Sequence, residues 1–220
     1  MSTPHPDPDP GRSAASPGPR TAAADRRTLI ADTAIGLVAA AGLRGLTHRA
    51  VDGAAQLPPG STSYYFRTRT ALIGACYQRL AELDVADYAQ ADRPADRPAA
   101  PAAPAGRDEV AAATAALLHR WLTTDRARQL ARFELSLEAA RTPELRPEFE
   151  RAGRVVRARA AAILGELGAR QPREAAELLV AWTDGLLHDR LVGALARTRP
   201  NPDPAELAAV VRRMLDAALD

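Results

Sequence analysis

The stretch that decides the fold is LTHRAVDGAAQLPPGSTSYYFRTRTAL, which runs from Leu46 to Leu72. Thr47 predicts a helix start, because a threonine hydroxyl accepts a hydrogen bond from a free N–H of the first turn. Small apolar residues follow at helical spacing, and Pro59 predicts the first position of a second helix. That helix, about 59–65, is too short to be stable alone. The pattern therefore predicts two short helices joined by a tight turn and anchored on a scaffold through Phe66 and Leu72.

The second helix is rich in groups that bind nucleic acid. Its hydroxyls are followed by two phenols and then by two arginines, the donors that contact phosphates and base edges. The spacing fits a helix-turn-helix whose second helix reads the major groove. Phe66 fits a core position, whereas each tyrosine fits either the core or a DNA contact. The predicted DNA-contacting residues are Thr47, Arg49, Gly60, Ser61, Thr62, Ser63, Tyr64, Tyr65 and Arg69, of which Ser61, Thr62 and Ser63 are expected to approach base edges.

The segment LPPGSTSYYFRTRTAL resembles the recognition element of the tetracycline-repressor (TetR) family. The matching positions are Leu57, Pro58, Gly60, Ser61, Tyr64, Tyr65, Phe66, Thr68, Arg69 and Leu72. Gln56 stands where the family usually has a turn glycine, and Ser63 stands where many members carry a tyrosine. The specific resemblance covers about 24–83, and beyond it only the all-helical layout is similar.

This resemblance implies an all-α protein with an N-terminal three-helix DNA-binding domain and a C-terminal helical bundle for ligand binding and dimerisation. It also implies a transcriptional regulator that represses. A homodimer would bind a near-palindromic double-stranded DNA operator, and an unknown small-molecule effector would release it.

The charge distribution agrees with a DNA-binding N-terminal part. The whole chain has a formal net charge of only +2. Between Asp25 and Leu80, however, seven arginines face three aspartates, a local net charge of +4. Such a concentration of basic charge is typical of a DNA-binding domain.

The composition also excludes several classes of protein. Cys76 is the only cysteine, which excludes an intrachain disulfide and a cysteine-based zinc site. We predict that Cys76 is a small core residue. No cofactor or metal site is predicted. No apolar run approaches the roughly 20 residues of a membrane span, and no apolar signal region begins the chain. A cytoplasmic protein without a membrane partner is expected.

Proline and glycine mark the boundaries along the chain. Residues 1–24 predict a disordered arm, and 91–106 predict a Pro/Ala-rich linker. Between them, Asp25 to Ala41 has helical apolar spacing and Gly42 ends that helix. Another helix is expected from Arg69 to about residue 90. We divide the chain into a DNA-binding domain at 25–84 and an effector-binding and dimerisation domain at 85–220.

The C-terminal half predicts five helices, at about 107–123, 125–141, 144–168, 173–196 and 203–219. The candidate pocket residues are Trp121, Phe133, Glu134 and Trp182, although Glu134 also fits an exposed edge paired with arginines. The candidate dimer residues are Leu178, Trp182, Leu186, Val210, Val211 and Met214. The sequence leaves open whether these apolar faces form an intrachain core or the contact with a second subunit.

Two other classes of protein remain as alternatives. A small helical enzyme would need a nucleophile–base pair, a metal cluster or a phosphate-binding glycine loop, and the sequence shows none, so no enzymatic activity is predicted. A helical interaction module would use the helix-turn-helix only as structure and would bind no duplex.

Overall fold

The computed structural model describes residues 19–91 and 106–220, and every regular element within them is helical. This confirms the predicted all-α class. The predicted linker and most of the predicted N-terminal arm lie outside the described residues. The elements are α1 (Pro19–Gly45), α2 (His48–Ala54), α3 (Ser61–Tyr65), α4 (Arg69–Ala91), α5 (Arg107–Leu122), α6 (Arg126–Arg141), a 3₁₀ turn (Pro143–Leu145), α7 (Arg146–Glu166), α8 (Pro172–Val192) and α9 (Pro204–Leu219).

Helix α1 begins six residues earlier than predicted, at Pro19 instead of Asp25. Its regular backbone breaks at Gly42, where φ is 62° and ψ is −173°. A left-handed φ is readily adopted only by glycine, so the predicted break at Gly42 is confirmed. The stretch Ala23–Gly45 is long and apolar enough to cross a membrane by length and composition, contrary to the sequence expectation. This is weak evidence for a span, because core helices of soluble proteins meet the same criterion.

The turn between α2 and α3 differs from the prediction at one point. Pro59 lies in the turn and not at the first position of α3, which begins at Ser61. Gly60 takes the cap position with φ 89°, a left-handed conformation that a glycine adopts without steric cost. Gln56 also has a positive φ, 54°, at the position where the resemblance expects glycine.

The buried apolar side chains form two cores. The head core joins α1–α3 and the first half of α4, with Phe66 and Leu72 as the predicted anchors. Cys76 is fully buried in it, as predicted, and burial raises the pKa of its thiol to about 12. The bundle core joins α5, α7, α8 and α9.

Helices α4 and α6 touch both cores. Helix α6 contributes Ala131, Leu135 and Ala139 to the head core, while its Leu130 and Phe133 pack against the bundle core. The hydroxyl of Tyr77 on α4 donates to the carbonyl oxygen of Leu135 over 2.8 Å. The head therefore rests directly on the bundle.

Candidate nucleic-acid interface and ligand cavity

Asp52 closes the helix-turn-helix from inside. Its carboxylate accepts hydrogen bonds from the Gly60 amide (2.8 Å), the Thr62 amide (2.7 Å) and the Thr62 hydroxyl (2.6 Å). Burial alone would raise the pKa of this carboxyl group, but the bonds from Thr62 and Gly60 outweigh burial and hold the pKa below its ordinary value. One side chain of α2 thus fixes the start of α3.

Two further contacts hold the pair of short helices. The Thr47 hydroxyl accepts from the Ala50 amide over 3.0 Å, so its predicted role as the cap of α2 is confirmed. The Nε2 atom of His48 lies 2.7 Å from the carbonyl oxygen of Phe66. The two ends of the motif are therefore tied to each other.

The structure separates the predicted DNA-contacting residues into outward and inward groups. Tyr64 is 79% exposed. The other exposed members are Thr47, Arg49, Gly60, Ser63 and Arg69. Ser61 is half-buried, and its hydroxyl donates to the carbonyl oxygen of Pro58 over 2.6 Å.

The prediction that Thr62 contacts DNA is wrong for this conformation. Thr62 was expected to approach base edges, but its side chain is fully buried and its hydroxyl donates to Asp52. A buried hydroxyl that already serves the turn presents nothing to a DNA groove. Thr62 is therefore a structural residue of the motif in this conformation.

Arg69 combines an exposed position with internal contacts. Its guanidinium group donates to the carbonyl oxygens of Leu43 and Leu46, in the segment between α1 and α2. These carbonyls belong to the segment where α1 ends and the chain turns towards α2. Arg69 therefore joins the start of α4 to the start of the motif, a role that the sequence did not indicate.

Arg27 is a residue near α3 that the sequence analysis did not place there. Its guanidinium carbon lies 5.5 Å from the ring centroid of Tyr65 and 5.2 Å from that of Phe66. Tyr65 is half-buried and packs against the head core. Only the packing of α1 across the motif brings these residues together.

The head carries a set of arginines without acidic partners. Within the described residues, no ion pair involves the exposed arginines Arg26, Arg27, Arg44, Arg49 and Arg67. By contrast, Arg79 on α4 is paired with Asp32 on α1 over 2.7 Å. The uncompensated charge favours an anionic partner at the surface that carries α3.

The bundle contains a cavity of about 730 Å³, within the range typical of small-molecule sites. Its walls come from α4, α5, α6, α7 and α8. Most of the lining is apolar, and Tyr88 and Trp121 meet edge to face with ring centroids 6.1 Å apart. The other principal apolar side chains are Val110, Leu117, Leu118, Val156, Ile163, Leu179, Val180 and Leu187.

A polar cluster occupies one wall of the cavity. Arg132 is paired with the buried carboxylate of Asp84, and its Nε donates to Gln129 Oε1 over 2.9 Å. Burial opposes the charge of Arg132, but Asp84 outweighs it and raises the pKa of the guanidinium group. Arg132 also lies 5.9 Å from the ring centroid of Trp121.

Asp87, about one turn beyond Asp84 on α4, contacts three side chains of the bundle. Trp121 donates its indole N–H to Asp87 over 2.8 Å, and Arg120 lies 2.6 Å away. Arg128 is also paired with this carboxylate. Trp121 therefore links the cavity to α4, the helix that continues into the head.

Of the four predicted pocket residues, only Trp121 lines this cavity. Phe133 packs edge to face against His188, 5.3 Å between centroids. Glu134 is exposed and faces Gly42 of α1. Trp182 is half-buried on α8 outside the cavity lining. Helical periodicity could not say which stripe of each helix faces the cavity.

The predicted dimer residues divide in the same way. Val211 is 1% exposed and packs inside the bundle core with Leu207 and Leu215. Leu178 is 48% exposed on α8. The remaining candidates, Trp182, Leu186, Val210 and Met214, are half-buried. Helix α9 thus uses one stripe for the intrachain core and leaves another partly open.

Comparisons with known proteins agree with this arrangement. Residues 105–217 match a family model described as "Tetracyclin repressor-like, C-terminal domain". The multidrug binding protein EbrR, solved with imidazole, is 30% identical, with 86% of this chain and 89% of that chain covered and a TM-score of 0.60. Other structures of EbrR carry ethidium, proflavin or malachite green.

Two further structures show the same fold. A TetR-family member from Streptomyces coelicolor A3 is 28% identical, covers 86% of this chain and 98% of its own, and has a TM-score of 0.63. A TetR-family regulator from Rhodococcus sp. is 17% identical, covers 90% of this chain and 100% of its own, and has a TM-score of 0.70. No curated protein matches the sequence. The chain belongs to the tetracycline-repressor (TetR) family of transcriptional regulators.

Proposed function

We propose that this regulator is a repressor that binds a near-palindromic operator as a homodimer and is released by a small molecule. The observation that carries the proposal is the combination of an arginine-rich surface around α3 with a cavity whose wall includes α4. Two copies of α3 would enter successive major grooves about one helical turn apart. Tyr64 and Ser63 would face base edges, and Arg49 and Arg67 would face phosphates.

The dimer would form through the open stripes of α8 and α9. Leu178 is 48% exposed and Val192 is 46% exposed on α8. Val210 and Met214 are half-buried and offer a partly open apolar stripe on α9. Burial of such apolar surface against a second copy supports association.

The carboxylates of α4 would couple ligand binding in the cavity to release of the protein from DNA. A ligand that fills the cavity contacts Arg132 and Trp121, and these side chains hold Asp84 and Asp87 of α4. A change in either contact moves α4 and the head attached to it. The ligand would favour the arrangement in which the two heads no longer match the operator spacing.

Binding of the purified protein to duplex DNA from its own upstream region tests the proposal. It is measured at two salt concentrations with non-specific competitor, by footprinting and by titration. We expect two protected half-sites and an affinity that falls steeply with salt. A protein stripped of ligand that selects no duplex from a random-sequence pool would overturn the DNA-binding function.

A pair of matched variants localises the interface. The double variant Arg49→Ala/Arg67→Ala should weaken binding to all duplexes and lower the salt slope by about 2, since each phosphate contact contributes about 1. The control removes two exposed arginines from α7, Arg151→Ala/Arg154→Ala, and should leave both quantities unchanged. Equal effects of the two double variants would mean that net charge, and not the surface around α3, binds DNA.

A further inference from the structure

Gln129 on α6 is a fully buried polar residue in the wall of the cavity. Its Oε1 atom accepts from the Nε atom of Arg132 over 2.9 Å, but its Nε2 atom has no hydrogen-bond partner. Most buried polar atoms in proteins are hydrogen-bonded, because an unsatisfied donor loses its hydration without compensation. An acceptor inside the cavity would therefore complete the hydrogen bonding of this amide.

Arg132 fixes the orientation of the Gln129 amide. An exchange of the two terminal atoms would place an NH₂ group against the N–H of the guanidinium group, and neither of two donors can accept. Arg132 is in turn held by the carboxylate of Asp84, which is 1% exposed. The Nε2 atom of Gln129 is therefore a fixed donor, and the amide cannot turn over to offer an acceptor instead.

Tyr88 on α4 brings a second uncharged donor to the same wall. It lines the cavity, and its hydroxyl has no hydrogen-bond partner within the described part of the chain. Burial raises the pKa of Tyr88, so the phenol keeps its proton near neutral pH. Its ring packs against Trp121, and the guanidinium group of Arg132 lies 5.9 Å from the centroid of that tryptophan. The two donors thus belong to one group of side chains around Arg132.

The charges around these donors disfavour an ionic ligand. A cation would approach the positively polarised N–H groups of Gln129 and the guanidinium group of Arg132. An anion would have to compete with Asp84, whose carboxylate already neutralises Arg132. The other acidic side chains of the lining belong to exposed residues, so solvent screens their charge: Glu109, Glu166 and Asp184. The buried wall therefore matches an uncharged group that accepts hydrogen bonds.

We infer that the cavity binds an uncharged, mostly apolar molecule through a carbonyl oxygen that accepts a hydrogen bond from Nε2 of Gln129. Tyr88 is the second donor to the same ligand. This inference rests on the proposed role of the cavity as the effector site. The apolar walls take up the hydrocarbon part of the ligand, and Gln129 distinguishes a ketone from the matching hydrocarbon.

Benzophenone and diphenylmethane test the inference, because they share two phenyl rings and differ only in a carbonyl group that replaces a methylene group. Isothermal titration calorimetry measures their binding to the purified full-length protein without DNA, with the protein titrated into each sparingly soluble probe. A cavity without a free donor would favour diphenylmethane, because the ketone oxygen would lose its hydration uncompensated. We expect benzophenone to bind about tenfold more tightly, the usual size of one hydrogen bond to a buried donor.

Photolabelling locates the bound ketone. Irradiated benzophenone couples to C–H groups in its immediate surroundings, and mass spectrometry identifies the labelled peptides. We expect the label on peptides that line the cavity. A label confined to peptides outside the cavity would overturn the inference.

Substitution of Gln129 provides the second arm. Gln129→Glu keeps an oxygen that accepts from Arg132 and replaces the Nε2 donor by another acceptor. This variant should bind benzophenone about tenfold more weakly and diphenylmethane with unchanged affinity. Tyr88→Phe removes only the phenol hydroxyl and should reduce the preference for the ketone in the same direction.

Gln90→Glu is the matched control. The Oε1 atom of Gln90 on α4 also accepts from an arginine, Arg120, over 3.2 Å, but this glutamine is exposed and lies outside the cavity lining. Its substitution should change neither affinity. Thermal unfolding checks that each variant is folded. If Gln129→Glu is not, Gln129→Met removes the same donor without adding a charge and should show the same loss of preference for the ketone.

The outcomes separate the inference from the proposed function. Equal binding of the two probes, or a folded Gln129 variant that keeps the preference for the ketone, would overturn the inference, and an ordered water alone would then satisfy the amide. Failure of both probes to bind would overturn it as well. Operator binding is measured without any probe, so its presence or loss reports on the DNA-binding function alone.

Discussion

The head and the C-terminal bundle treat their buried polar groups in opposite ways. In the head, Asp52 is 4% exposed and its carboxylate accepts three hydrogen bonds. In the bundle, Gln129 is fully buried and its amide nitrogen has no partner, whereas Asp184 is exposed and lines the cavity without an ion pair to a described residue. A paired polar group fixes the shape of a motif. A buried polar group without a partner, such as the Gln129 amide nitrogen, costs stability.

The largest effect is expected from removing the carboxylate of Asp52, the fully hydrogen-bonded group in this comparison. Asp52→Ala would leave the amides of Gly60 and Thr62 and the hydroxyl of Thr62 without their acceptor, at about 1–3 kcal/mol for a buried donor such as those of Thr62. We expect the free energy of unfolding to fall by on the order of 3 kcal/mol, with loss of operator binding. Chemical denaturation and a DNA titration measure the two effects.

The control for this change is Asp32→Ala, which removes an exposed carboxylate whose partner is Arg79. It should cost less than about 1 kcal/mol, as is usual for an exposed ion pair. If Asp52→Ala cost no more than Asp32→Ala, the internal carboxylate would not hold the turn.

The next effect comes from Arg69, whose guanidinium is paired within the head. Arg69→Ala should lower the free energy of unfolding by about 1–2 kcal/mol, because two carbonyl contacts are lost. If Arg69 also contacts a phosphate, as the sequence predicts, the same variant should bind all duplexes more weakly and show a lower salt slope. Arg67→Ala, two residues earlier and also exposed, should weaken DNA binding and lower the salt slope without changing the free energy of unfolding. An unchanged salt slope for Arg69→Ala would leave Arg69 with the structural role alone.

A smaller effect is expected from relieving strain in the turn of the head. Gln56 has a left-handed φ of 54°, which disfavours a residue with a Cβ atom. Gln56→Gly should raise the free energy of unfolding by about 0.5 kcal/mol, after the extra entropy of glycine in the unfolded chain is subtracted. Gln56→Ala keeps the Cβ and should show no gain. A gain of the same size with alanine would attribute the effect to the glutamine side chain and not to the backbone.

The smallest effect is a contrast in pH dependence. The folded pKa of Asp52 lies below its unfolded value, so its stabilisation is present above about pH 4 and is lost as the pH falls through the lowered pKa. Burial raises the pKa of Asp184, so the penalty on its charged form is relieved as the pH falls. Unfolding measured from about pH 3 to 7 should therefore show less acid destabilisation for Asp52→Asn than for the wild type.

For Asp184→Asn the direction is opposite. At neutral pH this variant should be at least as stable as the wild type, and its advantage should shrink as the pH falls. Lower stability than the wild type at neutral pH would show that Asp184 is paired within the folded chain, and the contrast between the two carboxylates would fail.

The residues predicted correctly from sequence are those whose role depends on near neighbours. Thr47 caps α2 and Gly42 breaks α1 because these roles require only a hydroxyl or a missing Cβ at one position. The five helices of the C-terminal half begin and end within a few residues of prediction, since proline and glycine mark their limits. Pro59 was placed wrongly because Gly60 competes for the cap of α3.

The contacts that the sequence did not predict involve partners distant in sequence. Thr62 is directed inward by Asp52, ten residues earlier. Arg69 reaches carbonyls 23 and 26 residues away. Phe133 and Trp182 lie on helices that do contribute to the cavity, but on other stripes.

The sequence by itself determined the all-helical class and the helix-turn-helix, because capping, turn residues and helical periodicity depend on residues close together in the chain. The TetR family followed from the resemblance of residues 57–72 to the recognition element of that family. Only the tertiary structure decided which polar groups are paired and which face a cavity. Asp84, Gln129 and Asp184 line the same cavity although they lie on three different helices and are 45 or more residues apart along the chain. Whether a carboxylate there meets an arginine, solvent or a ligand depends on how those helices pack, and packing is a property of the whole fold.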